Sequence, residues 1–210
     1  MSCICLYSGD FGRGVATRLL TDCSVVAAYD VRTQDVERIL EHSKPKKCFV
    51  ALSSPDPELC RRVEEVARQY ASIIIYAMIR DRLLYIGPIV DLSEQKSCFN
   101  CFHRRCLSHE QLGSQPLALQ KGLCEGGALE IPGVLPSTSD MAAYLILDMA
   151  GDLAGYTRRI CKVDVHSGSI TIGALVPLHA CESCRSNIVR GPERLTASLL
   201  SELSALGLLD

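Results

Sequence analysis

The chain has 210 residues, of which 48% are hydrophobic and 22% charged, a composition typical of a globular protein with a sizeable core. Its net charge of −2 argues against the basic surface that nucleic-acid binding requires. The first residues lack the basic and apolar regions of a secretory signal, and no apolar run reaches the roughly 20 residues of a membrane helix. We therefore expect a cytoplasmic protein with no nucleic-acid partner and no membrane partner.

Strand-like and helical segments alternate three times in the first 80 residues. Apolar runs at 3–7, 24–30 and 48–53 read as strands, and each is followed by a helical stretch. The third of these helices is predicted to start at Asp56, a suitable N-cap residue, with Pro57 at the first helical position. This order predicts a doubly wound α/β arrangement, a Rossmann-like, mainly parallel sheet with helices on both faces.

The second half is more varied. Two strand-like runs, 72–79 and 83–90, are separated by R-D-R, which predicts a hairpin. After an irregular stretch, a helix is predicted to be capped near Ser137 with Asp140 three residues on. Strands are predicted at 160–165 and 170–177. A last helix, 192–206, would place four leucines on one face, and these could pack on the same domain or form a homodimer: Leu195, Leu199, Leu203 and Leu206.

Four of the twelve cysteines form two C-x-x-C pairs, in S-C-F-N-C-F-H and H-A-C-E-S-C-R. The pairs are Cys98 with Cys101 and Cys181 with Cys184. Four thiolates satisfy tetrahedral zinc and leave no position open for water, so the pattern favours a structural zinc site. Because the pairs are far apart in sequence, such a site would link two distant segments, and we refer to it as a zinc staple. The other eight cysteines are interpreted as small buried hydrophobic residues.

The competing interpretation of a C-x-x-C pair is a redox disulfide. That motif would normally open a helix after a strand in a thioredoxin-like βαβ unit, and neither pair is predicted to do so. One redox pair would also leave the other unexplained. His103 and Cys106 lie close enough in sequence to replace a cysteine as ligand. With four thiolates available, His103 is expected to be a surface residue.

The segment S-G-D-F-G-R-G after the first strand partly matches the G-x-G-x-x-G turn of dinucleotide-binding proteins. Gly9 and Gly14 match, whereas Phe11 occupies the middle position, where glycine normally lets the backbone approach a phosphate. Asp30 follows about 20 residues after Gly9, where the ribose-binding acid usually falls. We expect a turn kept for helix–strand packing, with Gly9, Gly14 and Asp30 as cofactor-binding residues only if a nucleotide binds.

The order of these elements, with a long helix after G-V-L-P-S-T-S-D and a closing C-x-x-C, resembles the ThiF-like, ubiquitin-activating-enzyme-like superfamily. The resemblance covers nearly the whole chain. It implies the four-cysteine zinc site described above. It also implies, for the catalytic members, adenylation of a C-terminal carboxylate with ATP.

The segment I-G-P-I-V-D-L-S-E-Q-K-S-C-F-N-C-F-H is more particular. It resembles the ThiF-like partner proteins of thiazole/oxazole-modified peptide biosynthesis, a class that includes bacteriocin pathways. This resemblance implies a non-catalytic subunit that holds a precursor peptide and activates a separate, ATP-using YcaO-type cyclodehydratase. ATP binding by this chain is not expected, since only Arg32 and Arg38 follow Asp30 in V-R-T-Q-D-V-E-R. The alternative is a divergent adenylyltransferase that acts on a peptide or protein carboxylate.

The sequence thus predicts one ThiF-like domain over residues 1–210. Residues 1–90 would form its Rossmann-like half, 91–190 its zinc-stapled half, and 191–210 a C-terminal helix. Partner proteins of this kind commonly carry an N-terminal winged-helix domain that clamps the leader peptide. This chain begins at the first Rossmann strand, so that domain is expected to be absent.

Overall fold

A computed structural model describes residues 3–22, 24–70, 73–80, 82–93, 97–109, 134–178 and 181–185. The predicted helix at 192–206, with its four leucines, lies outside the described residues. The elements in chain order are β1 (Cys3–Ser8), α1 (Gly9–Thr21), β2 (Ala27–Asp30), α2 (Val36–Ser43), β3 (Lys47–Leu52), α3 (Pro57–Ala67), a 3₁₀ turn (Arg68–Tyr70), β4 (Ile73–Arg80), β5 (Leu83–Asp91), α4 (Phe99–His109), α5 (Pro136–Gly151), α6 (Leu153–Tyr156), β6 (Arg159–Asp164), β7 (Ile170–Ala174) and α7 (Glu182–Arg185).

The seven strands form one sheet in the order β2-β1-β3-β4-β5-β6-β7. The first four positions are parallel, with Cys5 opposite Ala28 on β2 and opposite Phe49 on β3. From β4 onward the neighbours are antiparallel, beginning with the β4–β5 hairpin that the sequence predicted. The predicted Rossmann-like sheet is therefore confirmed, and its later strands extend it as an antiparallel meander.

Helices cover both faces of the sheet, as predicted. Strand β3 is buried from Cys48 to Leu52, because a parallel strand between two helical layers has no solvent face. On one side α1 and α5 pack on inward residues such as Phe49 and Ile75. On the other side α2, α3 and α4 pack on Val50 and Tyr76. The two cysteine pairs lie on this second side, beside α3.

The helix starts explain one success and one error of the sequence analysis. Asp56 caps α3 as predicted, and its side chain accepts a hydrogen bond from the Leu59 amide at 2.9 Å. The predicted cap near Ser137 is wrong, since α5 already begins at Pro136 and its N-cap residue is Leu135, with no side-chain cap. Proline suits the first helical position because its fixed φ matches the helix and it needs no N–H acceptor.

In the parts of the chain that the structure describes, no helix has both the length and the apolar character needed to cross a membrane.

Candidate metal centre and glycine turn

The four cysteines of the two C-x-x-C pairs converge on one point. Their Sγ atoms all lie within 4.8 Å of one another. Sγ of Cys98 is 3.5 Å from that of Cys181 and 3.8 Å from that of Cys101, and Sγ of Cys101 is 3.5 Å from that of Cys184. All four are almost fully buried. The cluster could therefore hold a metal ion.

Helix α4 positions the first pair. Cys98 directly precedes the helix and Cys101 lies in its first turn. The helix is held against the sheet by Phe99, whose ring centroid is 4.8 Å from that of Tyr76 on β4. Phe102 adds an edge-to-face contact with Tyr85 on β5 at 5.6 Å. The short helix α7 positions the second pair, with Cys181 just before it and Cys184 within it.

Polar donors surround the sulfurs. The Leu178 amide donates to Sγ of Cys101 at 3.4 Å, and the Asn100 side-chain amide donates to Sγ of Cys181 at 3.7 Å. Hydrogen bonds from Cys184 and Cys98 lower the pKa of the Cys101 thiol to about 2, and the Leu178 amide acts in the same direction. The same hydrogen bonds raise the pKa of the Cys98 and Cys184 thiols, so the contacts favour the thiolate, the form that binds metals, at Cys101.

Each pair opens a helix, the first α4 and the second α7. Neither helix is part of a described thioredoxin-like βαβ unit, because the strands on either side of α4, β5 and β6, are antiparallel and α7 follows the last described strand. The cross-pair contacts give a further reason against a redox pair: each sulfur of one pair lies 3.5 Å from a sulfur of the other. A redox disulfide would unite two sulfurs at about 2.05 Å and leave the other pair idle.

The prediction that His103 is a surface residue is also wrong. It is 7% exposed and stacks on Phe99, with ring centroids 6.1 Å apart. Burial and, to a smaller extent, the nearby positive charge of Arg80 lower the pKa of its imidazole to about 4. Neither His103 nor Cys106 belongs to the sulfur cluster among the described residues. An α4 position that follows Phe99 by one turn faces the sheet, which explains the burial.

A buried carboxylate beside the cysteines was missed by the sequence analysis. Glu64 on α3 is 2% exposed, and it accepts hydrogen bonds from the Phe99 amide at 2.7 Å and the Tyr76 hydroxyl at 3.2 Å. Burial raises the pKa of its carboxyl to about 7, against the effect of those hydrogen bonds. The available signal is its position one helical turn after Cys60, on the buried side of α3.

The glycine turn has a different character. Helix α1 starts at Gly9, directly after β1, and its first turn is occupied by the protein's own atoms. The Phe11 amide donates to Oγ of Ser53 at 3.2 Å, and the Phe11 carbonyl accepts from Oγ of Ser139 at 3.2 Å. The Phe11 side chain itself is fully buried. An amide that a phosphate would use is therefore already paired.

The remaining glycines of the turn serve packing. A Cβ on Gly12 would lie 2.3 Å from the Ala51 carbonyl oxygen of β3, and a Cβ on Gly14 would lie 2.6 Å from Oγ of Ser139 on α5. Gly14 also lines an open groove of about 460 Å³ between α1 and α5. Gly12 thus provides the close helix–strand approach that the motif is used for.

Asp30 lies where the sequence predicted, at the end of β2 and opposite Tyr7 of β1. Its carboxylate is engaged by Arg32, through Nε at 3.2 Å, Nη2 at 3.2 Å and the backbone amide at 3.0 Å. Partial burial opposes ionisation, but these hydrogen bonds lower the pKa of Asp30 overall. The structure therefore places Gly9 and Asp30 at the ends of the adjacent strands β1 and β2, with Asp30 already paired, and places Gly14 against α5.

Several solved structures share the fold of this chain. The described fold matches the E. coli microcin synthetase McbBCD complex with a TM-score of 0.66 at 14% identity, over 86% of this chain and 67% of that chain. The same complex with pro-MccB17 bound gives 0.62 at 13% identity, over 87% of this chain and 70% of that one. The chain has the ThiF-like fold.

A third matching structure is a much longer protein than this chain. A heterocyclase in complex with substrate and cofactor gives a TM-score of 0.57 at 14% identity, over 87% of this chain. The chain spans only about a quarter of that heterocyclase, 25% of its length. No protein-family model and no curated protein sequence matches the chain significantly. At these identities the likeness establishes the ThiF-like fold that the sequence predicted, and the fold alone.

Proposed function

We propose that this protein is a non-catalytic ThiF-like subunit of a peptide-modifying complex. In this role it docks a precursor peptide, activates a YcaO-type cyclodehydratase, or does both, in the biosynthesis of azole- or azoline-containing peptides. Support comes from the shared fold with components of the microcin synthetase complex, one form of which holds pro-MccB17, and with a heterocyclase.

The first turn of α1 carries the non-catalytic part of the proposal. Nucleotide-binding members of this architecture offer free amides and a glycine surface to the phosphates. Here the Phe11 amide is bonded to Ser53, the Phe11 ring is buried in the middle position of the motif, and Arg32 holds Asp30. A nucleotide would have to displace the Ser53 bond with its phosphate and the Arg32 pair with its ribose.

We further propose that the cysteine cluster holds one structural zinc ion. Four sulfurs at the corners of a tetrahedron, with Zn–S bonds of about 2.3 Å, are separated by about 3.8 Å. Three of the six separations, at 3.5 to 3.8 Å, fit that size, and all six lie within 4.8 Å. Four protein ligands leave no position for water or substrate, so the ion would stabilise the fold rather than carry out a reaction.

The deciding experiment is reconstitution. The purified chain should show neither measurable ATP binding by calorimetry nor exchange of pyrophosphate into ATP. Added to a YcaO-type cyclodehydratase and a Cys/Ser/Thr-rich precursor peptide encoded beside it, the chain should increase ring formation, measured as loss of one water per ring by mass spectrometry. Pyrophosphate exchange by the chain alone would overturn the proposal.

The second candidate, an adenylyltransferase, is favoured by one observation. Asp30 ends β2 beside the end of β1, the position from which an acid reaches the ribose in nucleotide-binding relatives of this architecture. Under this hypothesis Asp30→Ala should abolish pyrophosphate exchange, whereas Asp10→Ala, on the exposed side of the same turn, should not. Equal exchange by wild type and Asp30→Ala would exclude a role of Asp30, and no exchange by wild type would exclude the adenylyltransferase.

A further inference from the structure

Two side chains four residues apart reach from α3 and its 3₁₀ turn to the two cysteine segments. Glu64 contacts the first segment and Arg68 the second. Residues at this spacing lie on the same side of a helical segment. A single stretch of chain in the Rossmann-like half is therefore bonded to both halves of the sulfur cluster.

Glu64 holds the start of α4. Its Oε1 accepts a hydrogen bond from the Phe99 amide at 2.7 Å. Phe99 is the first residue of α4 and directly follows Cys98. The first amides of a helix have no partner within the helix, and a negative charge there is favourable. The Tyr76 hydroxyl donates to the same oxygen at 3.2 Å and fixes the carboxylate against β4. The backbone that presents Cys98 and Cys101 is thereby tied to α3.

Arg68 holds the other segment. Its Nη2 donates to the Ser183 carbonyl oxygen at 3.2 Å, and Ser183 lies between Cys181 and Cys184 in α7. A hydrogen bond from a charged donor is stronger than a neutral one. The Arg68 charge also lies close enough to Glu64 to favour its ionised form. The two contacts thus form one small polar link behind the sulfurs.

We infer that Glu64 and Arg68 are positioning residues for the metal centre, Glu64 for the Cys98/Cys101 pair and Arg68 for the Cys181/Cys184 pair. The inference rests on the metal site proposed above. Side chains that orient metal ligands from outside the ligand set typically account for about 10- to 100-fold in metal affinity. Neither side chain contacts a sulfur in the described contacts; each acts through the backbone of its segment.

The first test measures affinity. Zinc and cobalt(II) dissociation constants are determined by chelator competition for the full chain and for Glu64→Leu, Glu64→Gln and Arg68→Met. We expect Glu64→Leu and Arg68→Met each to weaken binding by about 10- to 100-fold. Glu64→Gln, which keeps an acceptor for the Phe99 amide, should restore most of the affinity. Matched controls on the exposed side of α3, Glu65→Leu and Arg62→Met, should bind like wild type.

The second test separates positioning from general stability. The zinc-loaded variants are treated with N-ethylmaleimide, and the order of cysteine modification is read by peptide mass spectrometry. In Glu64→Leu the Cys98/Cys101 peptide should react first, and in Arg68→Met the Cys181/Cys184 peptide should react first. A variant that is only less stable would release both pairs together.

The outcomes distinguish failure of the proposed metal centre from failure of the positioning role of Glu64 and Arg68. Failure of the wild-type chain to bind zinc or cobalt would overturn the metal centre, and this inference with it. If wild type binds zinc, and Glu64→Leu and Arg68→Met match their controls in affinity and in order of modification, only the positioning role is overturned. Arg68 is half-buried, so Arg68→Met keeps the test decisive should Glu64→Leu fail to fold.

Discussion

The glycine turn and the cysteine cluster are the two sequence motifs that suggested a ligand, and their polar atoms have opposite surroundings in the structure. At the turn, Phe11, Ser53 and Ser139 fill the space with hydrogen bonds of the protein's own. At the cluster, four sulfurs are held 3.5 to 4.8 Å apart around a common centre. The amide of the turn is thus paired with a distant side chain, whereas the sulfurs of the cluster face one another, and only the second arrangement fits a ligand.

The same contrast separates two carboxylates. Asp30, beside the turn, is held by Arg32 and its pKa is lowered. Glu64, beside the cluster, is buried and its pKa is raised to about 7. Asp30 is therefore paired within the protein and not free for a ribose, whereas Glu64 holds the segment that carries Cys98 and Cys101.

The largest effect should follow from loss of one sulfur. Cys101→Ser leaves three thiolates and should remove the zinc and lower the free energy of unfolding by several kcal/mol, because structural zinc contributes directly to folding. Zinc per chain by plasma mass spectrometry and the melting temperature measure this. The control is Cys106→Ser, outside the cluster, which should retain about one zinc per chain. Equal metal content in both variants would contradict the four-sulfur site.

For the glycine turn, Gly12→Ala is the variant expected to have the largest effect on stability. Its Cβ would lie 2.3 Å from the Ala51 carbonyl oxygen, so α1 must move away from β3. We expect the free energy of unfolding, measured with urea, to fall by about 3 kcal/mol, the upper end of the usual cost of overpacking a core. Gly151→Ala, where a Cβ meets nothing within 4 Å, is the matched control and should be neutral or slightly stabilising. A tolerated Gly12→Ala would show that this turn is not closely packed.

Glu64 should make stability depend on pH in a direction opposite to the usual carboxylate. Its pKa is raised in the folded state, so the fold binds its proton more tightly than the unfolded chain between about pH 4.5 and 7. Relative to Glu64→Gln, the wild type should therefore gain roughly 2 kcal/mol as the pH falls from 7 to 5. Denaturant unfolding with saturating zinc measures the difference, in which the thiolate contributions cancel. A difference that does not change with pH would mean that Glu64 titrates normally.

The smallest effect is expected at Asp30. Its pKa is lowered, so its contribution is present above about pH 4 and is lost as the pH falls below that value. The pair with Arg32 lies at the surface, and Asp30→Asn should cost less than about 1 kcal/mol in urea unfolding at pH 7. The ATP affinity, if any is measurable, should not change. A large loss of stability would show that Asp30 holds more of the fold than its described contacts suggest.

Period and spacing were enough to predict the alternating first half, the β4–β5 hairpin and the convergence of the four cysteines. Alternating apolar strands and helices permit few arrangements, and a zinc-type pattern of two pairs has few uses. The start of α5 at Pro136 and the burial of His103 were missed because both depend on what packs opposite them. The contacts of Ser53 and Arg32 were missed for the same reason. Ser53, from another segment, accepts a hydrogen bond from the Phe11 amide, and Arg32 pairs with Asp30, two residues before it.

The sequence distance between the two cysteine pairs sets an order of events during synthesis. Cys98 and Cys181 are 83 residues apart. A ribosome adding about 5–20 residues per second makes the second pair roughly 4 to 17 s after the first. In that interval the emerged part of the sheet, β1 to β5, has only its own packing to hold it. The part of the core that α1, α2 and α3 contribute is already made in that interval, whereas the core residues of α5 and β6 are added only with the second half.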